Sequence, residues 1–168
     1  MKLIPLERQH IELVRIWRNS VHVRQWMFWQ HPISCEQQKT WFATLPKKDV
    51  YRVIEVDGMP VGMCNLKNVI RNQCAEAGIF IGNPEYLNGL TAMRAMLMLY
   101  DMAFKDIMLK YIIARVLHNN DRAIKFNRAF GFRKIHGSIS PELLMMLDAK
   151  TYKTKRVRYN SIVGEVEH

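Results

Sequence analysis

Residues 117–132 read LHNNDRAIKFNRAFGF, and this stretch decides how the whole chain is interpreted. The apolar run 111–116 before it is typical of a strand, and the polar Asn-Asn-Asp cluster within it ends that strand. A short helix is then predicted, with Asn120 or Asp121 as its N-cap and Gly131 as its C-cap. Capping alone explains the polar residues of such a corner. The alternative is that this junction between strand and helix also binds a ligand.

Two helices are predicted between the first strand, KLIPL, and the central part of the chain. Apolar side chains at helical spacing in residues 9–19 predict the first helix. Ser34, with Gln37 three residues later, has the spacing of a capping box and opens the second helix. Asp57-Gly58 lies between two apolar runs and is a strong signal for a two-residue hairpin turn. We therefore expect a meander of three strands to follow the two helices.

The second half of the chain alternates helices with strands. Residues 91–104 are apolar on nearly every side and predict a buried helix. After the corner quoted above, we expect two closing strands, 132–137 and 153–163, around the segment 140–146. The resulting order, β-α-α-β-β-β-α-β-α-β-β, predicts a single α/β (α+β) domain over residues 1–168. Its central mixed sheet would have about seven mostly antiparallel strands, with helices on both faces.

Charge restricts the classes of partner. Lys and Arg outnumber Asp and Glu by 25 to 15, a formal net charge of +10. The excess favours anionic partners such as phosphorylated small molecules, nucleic acid or a membrane surface, and a merely solvated basic surface is the alternative. No RNA-reading signature accompanies the basic residues, so nucleic acid is not favoured. Because the sequence shows neither a bilayer-length apolar run nor a signal-peptide region, we expect a cytoplasmic protein with no membrane partner.

A second informative stretch, YLNGLTAM at residues 86–93, opens the predicted buried helix. With the corner and the order of elements, it resembles the GNAT superfamily of acyl-CoA-dependent N-acyltransferases, which carry Arg/Gln-x-x-Gly-x-Gly/Ala there. Gly89 matches the first glycine, whereas Tyr86 and Thr91 depart from the pattern; a plain turn with a helix cap is the alternative. A helix N-terminus offers unpaired N–H groups and a positive dipole end to a pyrophosphate. The resemblance implies acetyl-CoA as co-substrate, bound by the backbone of Asn88, Gly89, Leu90, Thr91, Ala92 and Met93.

The corner at 117–132 matches the same superfamily at several positions of fixed spacing. Its pattern is Asn-x-x-Ala-x-x-φ-Tyr-x-x-φ-Gly-Phe, where φ is apolar. The resemblance implies that Asn120, Ala123 and Phe126 contact the pantetheine arm of acetyl-CoA. Asn127 occupies the place of a tyrosine that protonates the leaving thiolate in that family, and an amide cannot supply this proton. The alternative donors in the sequence are Tyr100, Ser138 and Tyr159.

The strand CAEAGIFIG, residues 74–82, corresponds to the place where the superfamily opens its sheet to admit the acetyl group. The resemblance implies that Ile79, Phe80 and Ile81 contact the cofactor, and that the amides of Phe80 and Ile81 polarise the thioester carbonyl. Glu76 is the candidate base that takes a proton from the amine through water, although a solvent-facing position explains a glutamate there as well. No metal is implied, since the three cysteines lack the CxxC spacing of a zinc site.

The N-terminal helices resemble one branch of the superfamily more closely, the amino-sugar N-acetyltransferases of the pseudaminic acid pathway. Those enzymes acetylate the 4-amino group of a UDP-linked sugar, so the implied partner is a small-molecule amino-sugar nucleotide. Arg18 and Arg24 would contact its diphosphate. Trp26, Phe28 and Trp29 would stack on a base or pack against a methylated sugar. The alternatives are a ribosomal-protein-type N-terminal acetyltransferase and a CoA-binding protein of this fold without activity; a homodimer is left open. The matching residues are Trp17, Arg18, Asn19, Trp26 and Met27, together with Glu76 and Gly78.

Overall fold

The computed structural model describes residues 1–135 and 141–159. Its strands are β1 (Lys2–Pro5), β2 (Val50–Val56), β3 (Met59–Ile70), β4 (Cys74–Ile81), β5 (Tyr111–Leu117), β6 (Arg133–Lys134) and β7 (Glu142–Asp148). They form one sheet in the order β1-β2-β3-β4-β5-β7-β6. β4 and β5 are parallel, and the other neighbours are antiparallel. The predicted mixed, mostly antiparallel sheet is confirmed.

Helices cover both faces of this sheet. They are α1 (Ile11–Asn19), α2 (Val21–Arg24), α3 (Cys35–Ala43), α4 (Leu90–Asp101), α5 (Asp121–Phe130) and α6 (Ala149–Val157). On one face, Val14 and Trp17 of α1 pack with Met63 of β3. The larger core lies on the other face, where α4 contributes Leu97 and Leu99. The predicted arrangement of helices on both faces is therefore confirmed.

The turn and cap signals of the first half are confirmed. Asp57 and Gly58 both adopt positive φ, 51° and 79°, as the two central residues of a type I′ hairpin require. The Ser34 hydroxyl accepts a hydrogen bond from the Gln37 N–H at 3.1 Å, and the Gln37 side chain accepts one from the Ser34 N–H at 2.8 Å. This reciprocal pair is the predicted capping box at the start of α3.

The C-terminal part differs from the prediction. The segment 153–163 was predicted as a strand, but its first five residues belong to helix α6, and the strand that pairs with β5 is β7. Leu143, Met145 and Leu147 are buried at alternate positions of β7, as in a strand with one face in the core. The predicted strand at 132–137 is reduced to β6, and residues 136, 137 and 160–163 lie outside the described residues.

Helix α6 is stabilised by hydrogen bonds at its N-terminus and by hydrogen bonds to helix α4. The Asp148 carboxylate accepts a hydrogen bond from the Thr151 N–H at 2.8 Å, which caps the helix. Tyr152 and Arg156, one helical turn apart, both contact Asp101 of α4, at 2.7 Å from the Tyr152 hydroxyl and 3.2 Å from the Arg156 Nε. The alternating sequence pattern predicted a strand here. The N-cap and the contacts made by one face of the helix stabilise a helix instead.

Candidate active site

A gap opens between the parallel strands β4 and β5. They pair at Cys74–Tyr111, Ala75–Ile112 and Glu76–Ile113 and diverge beyond these residues. On its other edge, β4 stays paired with β3 as far as Ile81. The gap opens into a cavity of about 340 Å³, which is within the range of small-molecule sites. The sheet is therefore opened where the sequence predicted.

Backbone amides of β4 point into this gap. The Gly82 N–H donates to the Val61 carbonyl of β3 at 2.8 Å. Because the hydrogen-bonding direction alternates along an antiparallel strand, the Phe80 amide also points to β3, whereas those of Ile79 and Ile81 point into the gap. The Ile81 amide therefore points into the gap, as predicted. The Phe80 amide does not, and the second amide that points into the gap is that of Ile79.

The first helices contribute three of the predicted acceptor residues to the cavity: Arg18, Trp26 and Met27 line it. Arg18 makes no hydrogen bond or ion pair with any residue of 1–135 or 141–159, and its Nε atom is buried. Burial lowers the pKa of Arg18. The rings of Trp26 and of Phe28, two residues further on, are 41% and 45% exposed. An unpaired cation and two accessible aromatic residues therefore line the same cavity.

Trp17, Asn19 and Arg24, also predicted to bind the acceptor, do not line the cavity. Trp17 is 7% exposed and lies directly on Gly82, where an added Cβ atom would come within 2.1 Å of the indole. The Asn19 side chain bonds to both backbone groups of Ile33, at 2.7 and 2.9 Å, and so holds the segment after α2. The structure gives Trp17 and Asn19 packing and loop-holding roles.

Glu76 lines the cavity inside a row of charged side chains that crosses the sheet. Its carboxylate is 3.0 Å from the Lys67 Nζ and 3.9 Å from the Arg115 Nη1. Arg115 also makes a two-point contact with Glu142 of β7, and this hydrogen bonding raises the pKa of Arg115. Only 14% of the Glu76 side chain is exposed, so a simple solvent-facing position does not describe it.

Arg115 is a site residue that the sequence analysis missed. Its guanidinium carbon lies 5.2 Å from the centroid of the Phe28 ring, a cation–π contact that joins the segment after α2 to β5. The only signal in the sequence is a lone arginine in the apolar strand YIIARVL. The partners that give this residue its place come from β4, β7 and a distant loop, so no local pattern reveals them.

The N-terminus of α4 has the shape expected of a phosphate site. Gly89 adopts φ +82°, and no atom lies within 4 Å of the position where a Cβ would be. The Asn88 Oδ1 accepts hydrogen bonds from the N–H groups of Leu90 and Thr91, at 3.0 and 3.2 Å. Gly89 and Ala92 line the cavity, whereas the other predicted residues of this loop, Asn88, Leu90, Thr91 and Met93, do not.

A cation that was not predicted also lies near this loop. Arg122 of α5 lines the cavity, and its Nη2 donates to the Leu87 carbonyl at 3.4 Å. An open helix N-terminus with a neighbouring arginine suits a pyrophosphate. The residues present therefore fit the anionic end of coenzyme A.

The corner at 117–132 both caps a helix and lines the cavity. The Asn120 Oδ1 accepts a hydrogen bond from the Ala123 N–H at 3.0 Å, and Gly131 ends α5 with φ +102°. The capping interpretation is therefore confirmed. Asn120, Ala123 and Phe126 all line the cavity, and their contact with the pantetheine arm stays a prediction.

The alternative proton donors are placed differently. Tyr100 lines the cavity. The Tyr159 hydroxyl donates to the Ala129 carbonyl at 2.6 Å, and Tyr159 is not among the residues that line the cavity. Ser138 lies outside the described residues.

Neither a cluster of metal ligands nor a membrane-spanning helix is present among the described residues. Across 1–135 and 141–159, no group of three or more His, Cys, Asp or Glu side chains is placed to hold a metal ion. In the same two ranges, no helix has both the length and the apolar character needed to span a bilayer.

Three solved structures illustrate the fold that this chain shares. The chain is similar to the N-acetyltransferase PseH from Campylobacter jejuni in complex with acetyl coenzyme A (19% identity, TM-score 0.67, covering 88% of this chain and 98% of that chain). It is also similar to FdhC, described as a nucleotide-linked sugar GNAT (17% identity, TM-score 0.82, 96% and 94%). A third is RimJ from Mycobacterium smegmatis in complex with CoA-disulfide (20% identity, TM-score 0.77, 96% and 88%).

The sequence itself identifies the family. No curated protein sequence matches the chain. A family model described as an acetyltransferase (GNAT) domain matches residues 1–133, which include the opened strand β4, the N-terminus of α4 and the whole of α5. The chain therefore belongs to the GNAT acetyltransferase family and is an N-acetyltransferase.

Proposed function

We propose that the chain transfers an acetyl group from acetyl-CoA to the amino group of a nucleotide-linked amino sugar, by direct transfer. The observation that carries this choice of acceptor is Arg18, an unpaired cation that lines the cavity beside the exposed rings of Trp26 and Phe28. Surface-glycan and flagellin-glycan biosynthesis use acceptors of this kind. PseH and FdhC, which share the fold, are consistent with the proposal.

The cofactor half of the site lies between β4, β5, α4 and α5. Bound acetyl-CoA supplies an acetyl group that is activated as a thioester. The amides of Ile79 and Ile81 provide donors for a carbonyl oxygen in the gap. The backbone of residues 88–93 and the Arg122 guanidinium would hold the pyrophosphate, and Asn120, Ala123 and Phe126 the pantetheine arm.

The acceptor half combines one free cation, accessible aromatic rings and one carboxylate. Arg18 is half-buried and its buried Nε atom has no partner among the described residues, so a diphosphate would satisfy it with charge-assisted hydrogen bonds. The rings of Trp26 and Phe28 provide flat apolar faces for a base or a deoxysugar. Glu76 is the one carboxylate among the described residues that line the cavity. We propose that it is the base that accepts the proton of the amine through a water molecule.

Arg18→Ala tests the choice of acceptor. A thiol-release assay with acetyl-CoA would compare a UDP-linked amino sugar, a peptide with a free N-terminus and a polyamine. We expect the UDP-linked sugar to be preferred, and Arg18→Ala to raise its KM about 10- to 100-fold, the effect of losing a hydrogen bond to a charged group. The affinity for CoA, measured by calorimetry, should change little.

Arg8→Ala is the matched control, because it removes the same charge from an exposed position outside the cavity. It should leave the KM of the sugar nucleotide unchanged. If Arg18→Ala lowered the affinities for CoA and for the acceptor together, a role in folding would replace the role in recognition. If the wild type preferred the peptide, the acceptor assignment would be wrong.

A peptide N-terminus is the second candidate acceptor. The exposed rings of Trp26, Phe28 and Trp29 form an accessible apolar surface near the cavity, which a protein substrate could cover. RimJ shares the fold. The same assay separates the two acceptors, because a peptide carries no diphosphate and its KM should not depend on Arg18.

A further inference from the structure

Asn127 interrupts an otherwise apolar stripe of α5. Ile124 and Phe130, one turn away on either side, are buried in the core. Asn127 is 8% exposed and lines the cavity, and its side-chain amide makes no hydrogen bond to any residue that the structure describes. Its backbone carbonyl accepts the N–H groups that end the helix, those of Gly131 and Phe132. The helix cap therefore does not need this side chain.

Tyr100 is a second buried polar side chain in the same cavity. It is 1% exposed, and its ring packs against Phe130 and Phe132 with centroids 5.3 and 5.8 Å apart. Its hydroxyl has no hydrogen-bond partner within the two described ranges of the chain. Buried polar groups are almost always hydrogen-bonded. Two unpartnered donors in the wall of one cavity are available to a ligand that occupies it.

The acetyl transfer proposed above produces such a partner, and this inference rests on that function. The amine nitrogen bonds to the acetyl carbon, the carbon–sulfur bond breaks with its electron pair on sulfur, and the amine proton passes to water. A negative charge then lies on sulfur inside a cavity whose wall towards α4 and α5 is largely apolar. Met96, Ala114, Val116, Ala123 and Phe126 are the apolar residues of that wall.

The cations of the cavity are engaged elsewhere. Lys67 and Arg115 are ion-paired with Glu76, and Arg122 donates to the Leu87 carbonyl. Arg18 belongs to α1, which packs on the opposite face of the sheet from α4. Uncharged donors on α4 and α5 are thus left to stabilise the sulfur.

We propose that the Asn127 amide and the Tyr100 hydroxyl donate hydrogen bonds to the sulfur of the departing coenzyme A, which leaves as a thiolate without being protonated by the protein. Burial raises the pKa of Tyr100 far above its usual range, which keeps the phenol protonated as a donor and opposes transfer of its proton. Burial also raises the pKa of the nearby Cys64 thiol to about 12, so this group stays neutral. The other titratable or charged side chains lining the cavity are Arg18, His22, Lys67, Glu76, Arg115 and Arg122.

The pKa of the thiol of bound coenzyme A tests this proposal without an acceptor. The thiolate is followed by ultraviolet absorbance during a pH titration of the complex, with desulfo-CoA as the blank. We expect a pKa about one to two units below that of free coenzyme A, the effect of hydrogen bonds to a charged atom. Asn127→Leu and Tyr100→Phe should each return the pKa part of the way to the free value. The isosteric Asn127→Asp should raise it above the free value, because a carboxylate repels the thiolate.

Gln38→Leu is the matched control. Gln38 is another buried amide with an unpartnered nitrogen, but it lies on α3 outside the cavity. It should leave the thiol pKa unchanged. An equal thiol pKa in the wild type, Asn127→Leu and Asn127→Asp would overturn the proposal while leaving the acetyltransferase function standing. If the wild type did not bind coenzyme A in calorimetry, the function and this inference would both fall.

Discussion

At the scale of single residues, the site depends on which charges are paired and which are free. Glu76 is held by Lys67 and Arg115, whereas Arg18 has no partner among the described residues. The two ion pairs hold the Glu76 carboxylate in place at the cavity. The unpaired arginine, in contrast, is available to an anionic ligand. Pairing thus separates a carboxylate that is fixed in position from a cation that is open to recognition.

Glu76→Gln should show whether this carboxylate takes the amine proton. We expect kcat to fall about 10²- to 10⁴-fold near neutral pH, the usual contribution of a general base. Glu142→Gln, which breaks the other ion pair of Arg115, is the control for lost structure and should reduce kcat much less. An unchanged rate in Glu76→Gln would remove this glutamate from the mechanism.

At the scale of elements, the opening between β4 and β5 is maintained by what packs around it. Trp17 of α1 lies on the backbone of Gly82, at the end of β4, and its ring also meets Phe80 edge-on with centroids 6.3 Å apart. Helix α1 is therefore seated against the strand whose amides point into the gap. A displacement of α1 would be transmitted to those amides.

Gly82→Ala should disturb the packing of α1 against the end of β4. The new Cβ would come within 2.1 Å of the Trp17 indole, so one of the two elements has to move. We expect a loss of about 1–3 kcal/mol in the free energy of unfolding, as for overpacked cores, measured by chemical denaturation. Gly78→Ala meets only the flexible Asn65 side chain, at 3.2 Å, and should cost less. The double variant with Trp17→Ala should lose less than the sum of the single losses; strict additivity would speak against the contact.

At the scale of the whole molecule, the net charge of +10 acts on both substrates. Acetyl-CoA and a nucleotide sugar are polyanions, and a positive protein draws them in over distances that salt shortens. We expect kcat/KM to fall about tenfold between roughly 0.01 M and 0.15 M monovalent salt. The value of kcat at saturating substrate should stay nearly constant in the same series. If kcat/KM did not change with salt concentration, the net charge would contribute to solubility only.

The sequence predicted the sheet and the capped corner that lines the cavity because those features depend on local signals. The Asp57-Gly58 turn, the Ser34 capping box and the corner at 117–132 each fix their own geometry within a few residues. The closing strand at 153–163 failed because the partner that makes it a helix, Asp101, is some fifty residues away. Arg115 was missed for the same reason, since its partners come from three other parts of the chain.

The side chain of Asn88 gives the entrance of the site a property of its own. Its oxygen already satisfies two of the amides at the start of α4, so this loop holds its shape with no ligand present. In the proposed function, a phosphate bound there would replace the Asn88 oxygen as the acceptor of these amides. Such an exchange would gain little in affinity, but it would allow entry and departure without a folding step, which suits a carrier that has to be released after every turnover.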